Sequence, residues 1–266
     1  MEIFVATGDM IERVLDILTL LADHPQGLPI SEVSRQLDLP KSAVHRLLSI
    51  LVRRGLAVQD EYSQRYRMTV KLAAIGFRFL AASGITDICQ PSLDRLAART
   101  GELVRLALVE DDALIWIAKA QGALSGLRYD PDMGLSVTLS CSAAGHAWLS
   151  TMSDERALEL VAKQGFGKPA DFGPKAPTTV KAVLAYVRSA RQRGFSMINE
   201  VFAPAMTAMA APVRSGNGTA IGVVTIAGPL VRLTEERMLV LGPVLMDTAY
   251  EIARASGASA MFKRRA

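Results

Sequence analysis

Between residues 28 and 68 the apolar positions follow a helical period twice and then turn into a short strand–turn–strand pattern. In the second of these helices Val44, Leu47, Leu48 and Leu51 recur at i, i+3, i+4 and i+7, which gathers them into one apolar stripe. The complementary stripe has the same spacing and carries Ser42, His45, Arg46 and Ser49. A tight turn at Asp38-Leu39-Pro40-Lys41 precedes it, and Leu56-Ala57-Val58 and Tyr66-Arg67-Met68 flank a polar tip at residues 60–64 as a hairpin. Upstream, the spacing predicts a helix over about residues 9–22, with Ile11, Val14, Leu15, Leu18 and Leu21 on one face and Thr7 or Asp9 as its N-cap. His24-Pro25-Gln26-Gly27 stops it, and Ser31 is placed to cap the next helix, with Val33 and Leu37 facing inward. The pattern is that of a winged helix-turn-helix.

Residues 70–82 return to helical period, with Leu72, Ile75, Gly76 and Phe79 on one stripe. That stripe has no partner nearby in sequence, so a linker helix that pairs across a dimer is expected, with Leu72, Ile75 and Phe79 at the seam. Beyond residue 85 the pattern reads as a helix over 86–99, strands over 102–110 and 113–120, and a short strand at 137–139 feeding a helix near Ser142. Helices follow over 154–164, capped by Ser153, and over 180–193, ended by Gly194. Strands are expected over 195–200, 209–214 and 220–227, and Thr234 caps a final helix to about residue 255. Hairpins mixed with helices predict an α+β domain on a mostly antiparallel sheet. The expected organisation is therefore a DNA-binding domain at residues 1–69, a linker helix at 70–83, a second domain at 84–256 and a flexible basic tail at 257–266.

Charge changes this picture from a fold to a partner. From Arg35 to Arg78 nine bases face three acids, a local net of +6, whereas the whole 266-residue chain carries only +4. The basic side chains could merely keep a small subdomain soluble, but a positive field confined to one segment is the footprint of a phosphate-binding face. Ser42, His45, Arg46 and Ser49 are of the kind that reach base edges from a helix in the major groove, and Lys41, Arg65 and Arg67 lie where phosphates would pass. Double-stranded DNA is the expected partner. Half the residues are apolar, ample for packed cores, yet apolar stretches such as 220–231 are short and broken by Gly222, Gly228 and Pro229. Without a leader pattern, and with two cysteines, Cys89 and Cys141, that form no CxxC, a cytoplasmic protein with reduced thiols and no membrane partner is expected.

Catalytic chemistry finds little support. Three histidines, His24, His45 and His146, show no metal-pair spacing, and the chain has no GxSxG elbow, P-loop or clean GxGxxG. Cys141 and His146 are five apart, which does not place them together on a helix. No catalytic residue, metal or cofactor is expected. A binding pocket is better supported: in residues 139–146 a strand runs into small residues that open a helix, whose free N–H groups attract anions. The same small residues also suit close strand–helix packing.

Four blocks in order resemble the IclR family of bacterial transcriptional regulators over almost the whole chain. Leu39-Pro40-Lys41-Ser42-Ala43-Val44-His45-Arg46-Leu47-Leu48 resembles the family's LPKSTxxRLL signature, and Ser142-Ala143-Ala144-Gly145-His146-Ala147 its TAxGKA segment. Ile198-Asn199-Glu200 and Met209-Ala210-Ala211-Pro212-Val213 resemble its DxEE…IAAPV run, and Thr225-Ile226-Ala227-Gly228-Pro229 its SVSGP segment. The resemblance implies a winged helix joined by a linker helix to a GAF-like effector domain. It also implies homodimers or dimers of dimers on palindromic operators, repressing or activating metabolic genes in response to a small, often carboxylate-bearing effector. Carried over by position, the effector contacts would be Leu139, Ala143, Ala144, Asn199, Ala208, Thr225 and Ala227. Ala208 stands where many members have Cys, Thr225 and Ala227 where they have Ser, Asn199 where they have Asp and His146 where they have Lys. Those departures make a less polar pocket and imply a larger, partly apolar organic acid. The rival readings are a constitutive DNA-binding protein without ligand response, and a small-molecule enzyme.

Overall fold

The computed structural model describes residues 2–131 and 133–256, so the expected tail at 257–266 lies outside the described residues. The chain divides into two compact units, the first ending at Leu80 and the second beginning at Ala81. In the first, α1 (Glu2–Ala22), α2 (Ile30–Gln36) and α3 (Lys41–Arg53) pack around Ile17, Leu21, Val33, Val44, Leu47 and Leu48. The antiparallel pair β1 (Ala57–Gln59) and β2 (Tyr66–Met68) closes the unit as a wing. Burying one stripe of α3 is what holds the helix: Val44, Leu47, Leu48 and Leu51 are all at most 2% exposed.

Three local expectations are corrected here. Helix α1 begins at Glu2, so Thr7 and Asp9 are interior positions instead of caps. Its inward face is Ile17, Leu18 and Leu21, with Val14 partly covered, whereas Ile11 and Leu15 are 55% and 57% exposed, because the core lies against the last turns of the helix. Ser31 lies inside α2, whose N-cap is Pro29. The cause is tertiary: Leu28 exchanges both backbone hydrogen bonds with Tyr66, at 2.9 and 2.8 Å, which keeps the chain extended up to Pro29. The turn leading there needs Gly27 at φ +78°, where a Cβ would sit 2.8 Å from Tyr66 O.

Helix α4 (Lys71–Ser83) crosses the boundary, and α5 (Ile85–Thr100) opens the second unit. Its five strands are β3 (Leu103–Glu110), β4 (Ala113–Gln121), β5 (Ser196–Asn199), β6 (Met206–Arg214) and β7 (Ala220–Pro229). They form one fully antiparallel sheet in the order β4-β3-β7-β6-β5. Strand alternation divides its side chains between two cores. Val104, Leu106, Met209, Val224 and Ile226 face one way, with Leu93 of α5 and Leu245 of α9 (Glu235–Ser256). Ala107, Trp116, Ile198, Ala210 and Val223 face the other way, with α6 (Ala143–Leu149), α7 (Asp154–Gln164) and α8 (Val180–Arg193). The α+β architecture with a mostly antiparallel sheet is as expected.

Residues 137–139 are not a strand. Val137 N donates to Leu114 O at 2.8 Å, and one side chain holds much of the rest: Gln164 Oε1 accepts from Leu139 N at 2.7 Å and Gln164 Nε2 donates to Val137 O at 2.8 Å. An amide side chain here satisfies the donor and acceptor that a neighbouring strand would otherwise take. The segment then turns into α6, where Ser142 Oγ caps the helix by accepting from Gly145 N at 2.9 Å. Gly145 is demanded by contact, because a Cβ there would lie 2.4 Å from Leu139 O.

Candidate functional site

Two surfaces hold the residues singled out by sequence, one in each unit. On α3 the side chains of Lys41, Ser42, His45, Arg46 and Ser49 are all exposed, opposite the buried stripe. The helix presents a basic face, with Val52, 38% exposed, one turn beyond Ser49. Ser49 Oγ donates to His45 O at 2.8 Å and keeps its acceptor lone pairs outward. The wing is pre-ordered at its tip: Asp60 Oδ1 accepts from Ser63 N at 2.7 Å, Ser63 Oγ at 2.8 Å and Tyr62 N at 3.2 Å. These bonds, chiefly those from Ser63, hold the Asp60 carboxyl below the usual carboxylate range. Arg67 is exposed, and Arg65 is exposed but tethered, Nη1 donating to Gly27 O at 2.9 Å. Arg65 therefore ties the wing to the turn between α1 and α2 as well as presenting charge.

On α4, Leu72, Ile75 and Phe79 are 38%, 43% and 58% exposed. They form an apolar face that the first unit leaves in the open.

The second surface is a cavity of about 320 Å3 on the α6 side of the sheet. Its floor is the sheet face itself, where register sets Arg105 beside Thr225, and Ala227 beside Ala208. Ser142, Ala143 and Ala144 form one wall, and Trp116, Tyr129, Val137, Ile198 and Phe202 supply most of the apolar lining. A cavity of this size with few polar groups is typical of a small-molecule site.

Arg105 dominates its electrostatics. The residue is only 8% exposed, its Cζ lies 3.8 Å from the centre of the Trp116 ring, and its Nε meets no hydrogen-bond partner among the described residues. Burial weakens its hold on its proton relative to an ordinary arginine, while Tyr129 and Asp130 nearby act in the opposite sense. Asp130 is itself taken, by Lys119 Nζ at 2.6 Å and Arg128 Nη2 at 2.6 Å. A buried cation without a carboxylate of its own is costly in a folded chain and marks a place where an anion would be welcome.

Five of the seven residues carried over for effector contact, Ala143, Ala144, Ala208, Thr225 and Ala227, line this cavity. The other two do not. Leu139 is packed in the core with its carbonyl against Gly145, and Asn199 falls with Met197 on the opposite face of the sheet from Ile198, as strand alternation requires. Asn199 pairs in register with Thr207, whose hydroxyl donates to Leu233 O at 2.7 Å on that side. Arg105, Trp116 and Tyr129 escaped the sequence reading. Arg105 alone had a visible signal, as the single charge within the apolar run 103–109.

Beneath the cavity wall His146 is fully buried. Its ring stacks on Tyr186 with centroids 4.8 Å apart, and Nε2 donates to Ser140 O at 2.7 Å. Desolvation holds its pKa down at about 4, against a backbone contact that raises it. Nδ1 has no partner among the described residues, and Cys141 Sγ lies instead 3.4 Å from Ser140 Oγ. Burial pushes the Cys141 thiol up, away from thiolate chemistry. Among the described residues no three His, Cys, Asp or Glu side chains gather as a metal site, and no single helix is long and apolar enough to cross a membrane.

Comparison with known proteins joins the two surfaces. Residues 10–61 match the IclR helix-turn-helix domain, and residues 77–254 match the domain described as bacterial transcriptional regulator IclR C-terminal. The HTH-type transcriptional regulator BhcR of Paracoccus denitrificans is 28% identical over 243 residues, covering 91% of this chain and 85% of that protein. An IclR transcriptional regulator from Alicyclobacillus acidocaldarius superposes with a TM-score of 0.80 at 20% identity, over 94% of this chain and 99% of that one. An IclR homologue from Microbacterium hydrocarbonoxydans, complexed with 4-hydroxybenzoate, superposes with a TM-score of 0.75 at 22% identity, over 94% of this chain and all, 100%, of that one.

Proposed function

The chain belongs to the IclR family of bacterial transcriptional regulators, and from that premise we propose a cytoplasmic, ligand-responsive regulator that reads a palindromic operator and reports a small organic acid to it. In this reading residues 1–69 are the DNA-binding domain, 70–83 the linker and dimerisation helix, and 84–256 the effector domain. Ser42, His45, Arg46 and Ser49 reach base edges, while Lys41, Arg65 and Arg67 meet phosphates. Ala143, Ala144, Ala208, Thr225 and Ala227 contact the effector.

The observation that carries the reading is the buried, unpaired Arg105 in a cavity of the same chain that presents the basic face of α3. A constitutive DNA-binding protein has no use for a costly buried cation facing a cavity. The 4-hydroxybenzoate of the Microbacterium homologue supports a carboxylate as effector. The test is fluorescence anisotropy of the full chain on DNA from between its gene and the neighbouring genes, with and without candidate acids. An acid that shifts operator affinity must favour one state, since equal affinity for both shifts nothing. Operator binding that no small molecule alters would leave a constitutive DNA-binding protein, and turnover of the acid would leave an enzyme.

Paired half-sites mirror a two-fold axis, and the open face of Leu72, Ile75 and Phe79 supplies a seam for a dimer or a dimer of dimers. Phe79→Asp is expected to yield monomer in light scattering and to remove cooperative operator binding. A mutant that remains dimeric with normal affinity would place the seam elsewhere.

A further inference from the structure

We propose that Arg105 is the anion anchor of the cavity and that it selects a ligand carrying one carboxylate on an apolar body. The inference rests on the ligand-responsive reading and sharpens it, because the resemblance pointed to the approach to α6 and its start and to positions on β5, β6 and β7, not to β3.

The count of charges comes first. Among the described residues three cations, Arg105, Lys119 and Arg128, lie about one carboxylate, that of Asp130, and the last two occupy it at 2.6 Å each. Lys119 stands opposite Arg105 in the β3–β4 register, a second positive charge across the strand pair. One cation is left over, and it is buried. A carboxylate meeting its planar fork would satisfy the orphaned Nε–H and neutralise the charge in one contact. Trp116 braces the guanidinium from its ring face and thereby fixes the direction of that fork.

Two of the lining hydroxyls are not free for a second polar end. Ser142 Oγ is spent on Thr138 O at 2.6 Å and on Gly145 N, and Thr207 turns its hydroxyl to the other side of the sheet, onto Leu233 O. The lining also includes Val137, Ile198 and Phe202, and a second carboxylate set against them would be desolvated without a partner. At interior packing density a volume of about 320 Å3 accommodates roughly ten to fifteen non-hydrogen atoms, a ring with its carboxylate and one or two substituents.

The experiment is calorimetry on the full chain with three probes: benzoate, its neutral isostere benzamide, and the dicarboxylate terephthalate. Phenylacetate and cyclohexanecarboxylate vary the body. At least one monocarboxylate is expected to bind, with benzamide and terephthalate at least about tenfold weaker. Arg105→Gln is expected to weaken the bound acid by about 30-fold or more, and Arg105→Lys by less, since a point charge replaces the fork. Ligand-free Arg105→Gln is expected to melt higher than wild type, because an unpaired buried cation has been removed. A structural arginine would give the opposite shift. Arg105→Met serves if the glutamine variant does not fold.

Equal acid affinity in wild type and Arg105→Gln, a terephthalate that binds as tightly as benzoate, a lower melting temperature in the variant, or no monocarboxylate bound at all would each overturn the proposal. The regulatory reading stands or falls separately, on operator affinity. Arg105-dependent binding that leaves the operator unaffected would keep the anchor and remove the regulator.

Discussion

The face of α3 and the floor of the cavity both use arginine, and they hold it under opposite physical conditions. Arg46 stands in water on a helix whose stability comes from the other side, so its charge costs the fold nothing and is available to DNA. Arg105 is enclosed with Trp116 and has no ion-pair partner among the described residues, so the fold carries it at a loss that a ligand would repay. The difference teaches how to tell readout from anchoring. Changing an exposed contact alters binding and leaves stability alone, whereas changing a buried one alters both, in a direction that reveals what the residue was for.

The largest effect is expected from the buried side, at His146. The unfolded chain takes its proton near 6.5 but the folded one only at about 4, so between those values the unfolded state binds more protons. Stability from this group is complete above about 6.5 and drains as pH falls to 4, by on the order of 3 kcal/mol. Both tryptophans, Trp116 and Trp148, belong to the second unit, so their fluorescence follows that unit alone. His146→Gln should flatten the acid dependence between those pH values. Unchanged acid unfolding in that variant would assign the lability elsewhere.

Next comes packing in the cavity wall. Gly145→Ala presses a methyl onto Leu139 O and should destabilise the second unit by about 1–3 kcal/mol in denaturant unfolding. Operator contacts on α3 should survive in conditions where that unit remains folded. A fully stable Gly145→Ala would show that the wall yields more easily than its contacts suggest.

On the exposed side, Arg46→Ala should lose about 1–3 kcal/mol of operator affinity and relax base preference, with the melting temperature unchanged. A drop in melting temperature would blur the contrast between the two arginines. The smallest effect belongs to Arg65. Arg65→Ala should weaken binding evenly across sequences and flatten the salt dependence by about one unit. Because Arg65 also holds Gly27 O, a slight loosening of the wing should accompany it, visible as faster amide exchange at Tyr66 and Leu28. A salt slope equal to wild type would remove Arg65 from the phosphate contacts.

What could be read before folding follows from range. The buried stripe of α3, its exposed counterpart, the wing and the antiparallel α+β character arise from periodicities within a dozen residues, and the amino-acid order alone determined them. Caps at Ser153 and Thr234 belong to the same class, since a hydroxyl and the amide it accepts from lie three residues apart.

Tertiary structure decided the rest. Pro29 begins α2 because Leu28 is paired with Tyr66, distant in sequence, and Gln164, also distant, takes the bonds of Leu139 N and Val137 O where a strand was expected. The cavity is the extreme case. Arg105 faces Thr225 across a register that closes only when β3 meets β7, and Trp116 and Tyr129 reach it from a third strand and a loop. A strand pattern states that a side chain points to one face or the other, but which residues share that face is set by pairing and by the layer that covers the sheet. The amino-acid order therefore determined that this chain carries a helix-turn-helix with an exposed basic stripe, and only the packed sheet decided where its buried charge lies.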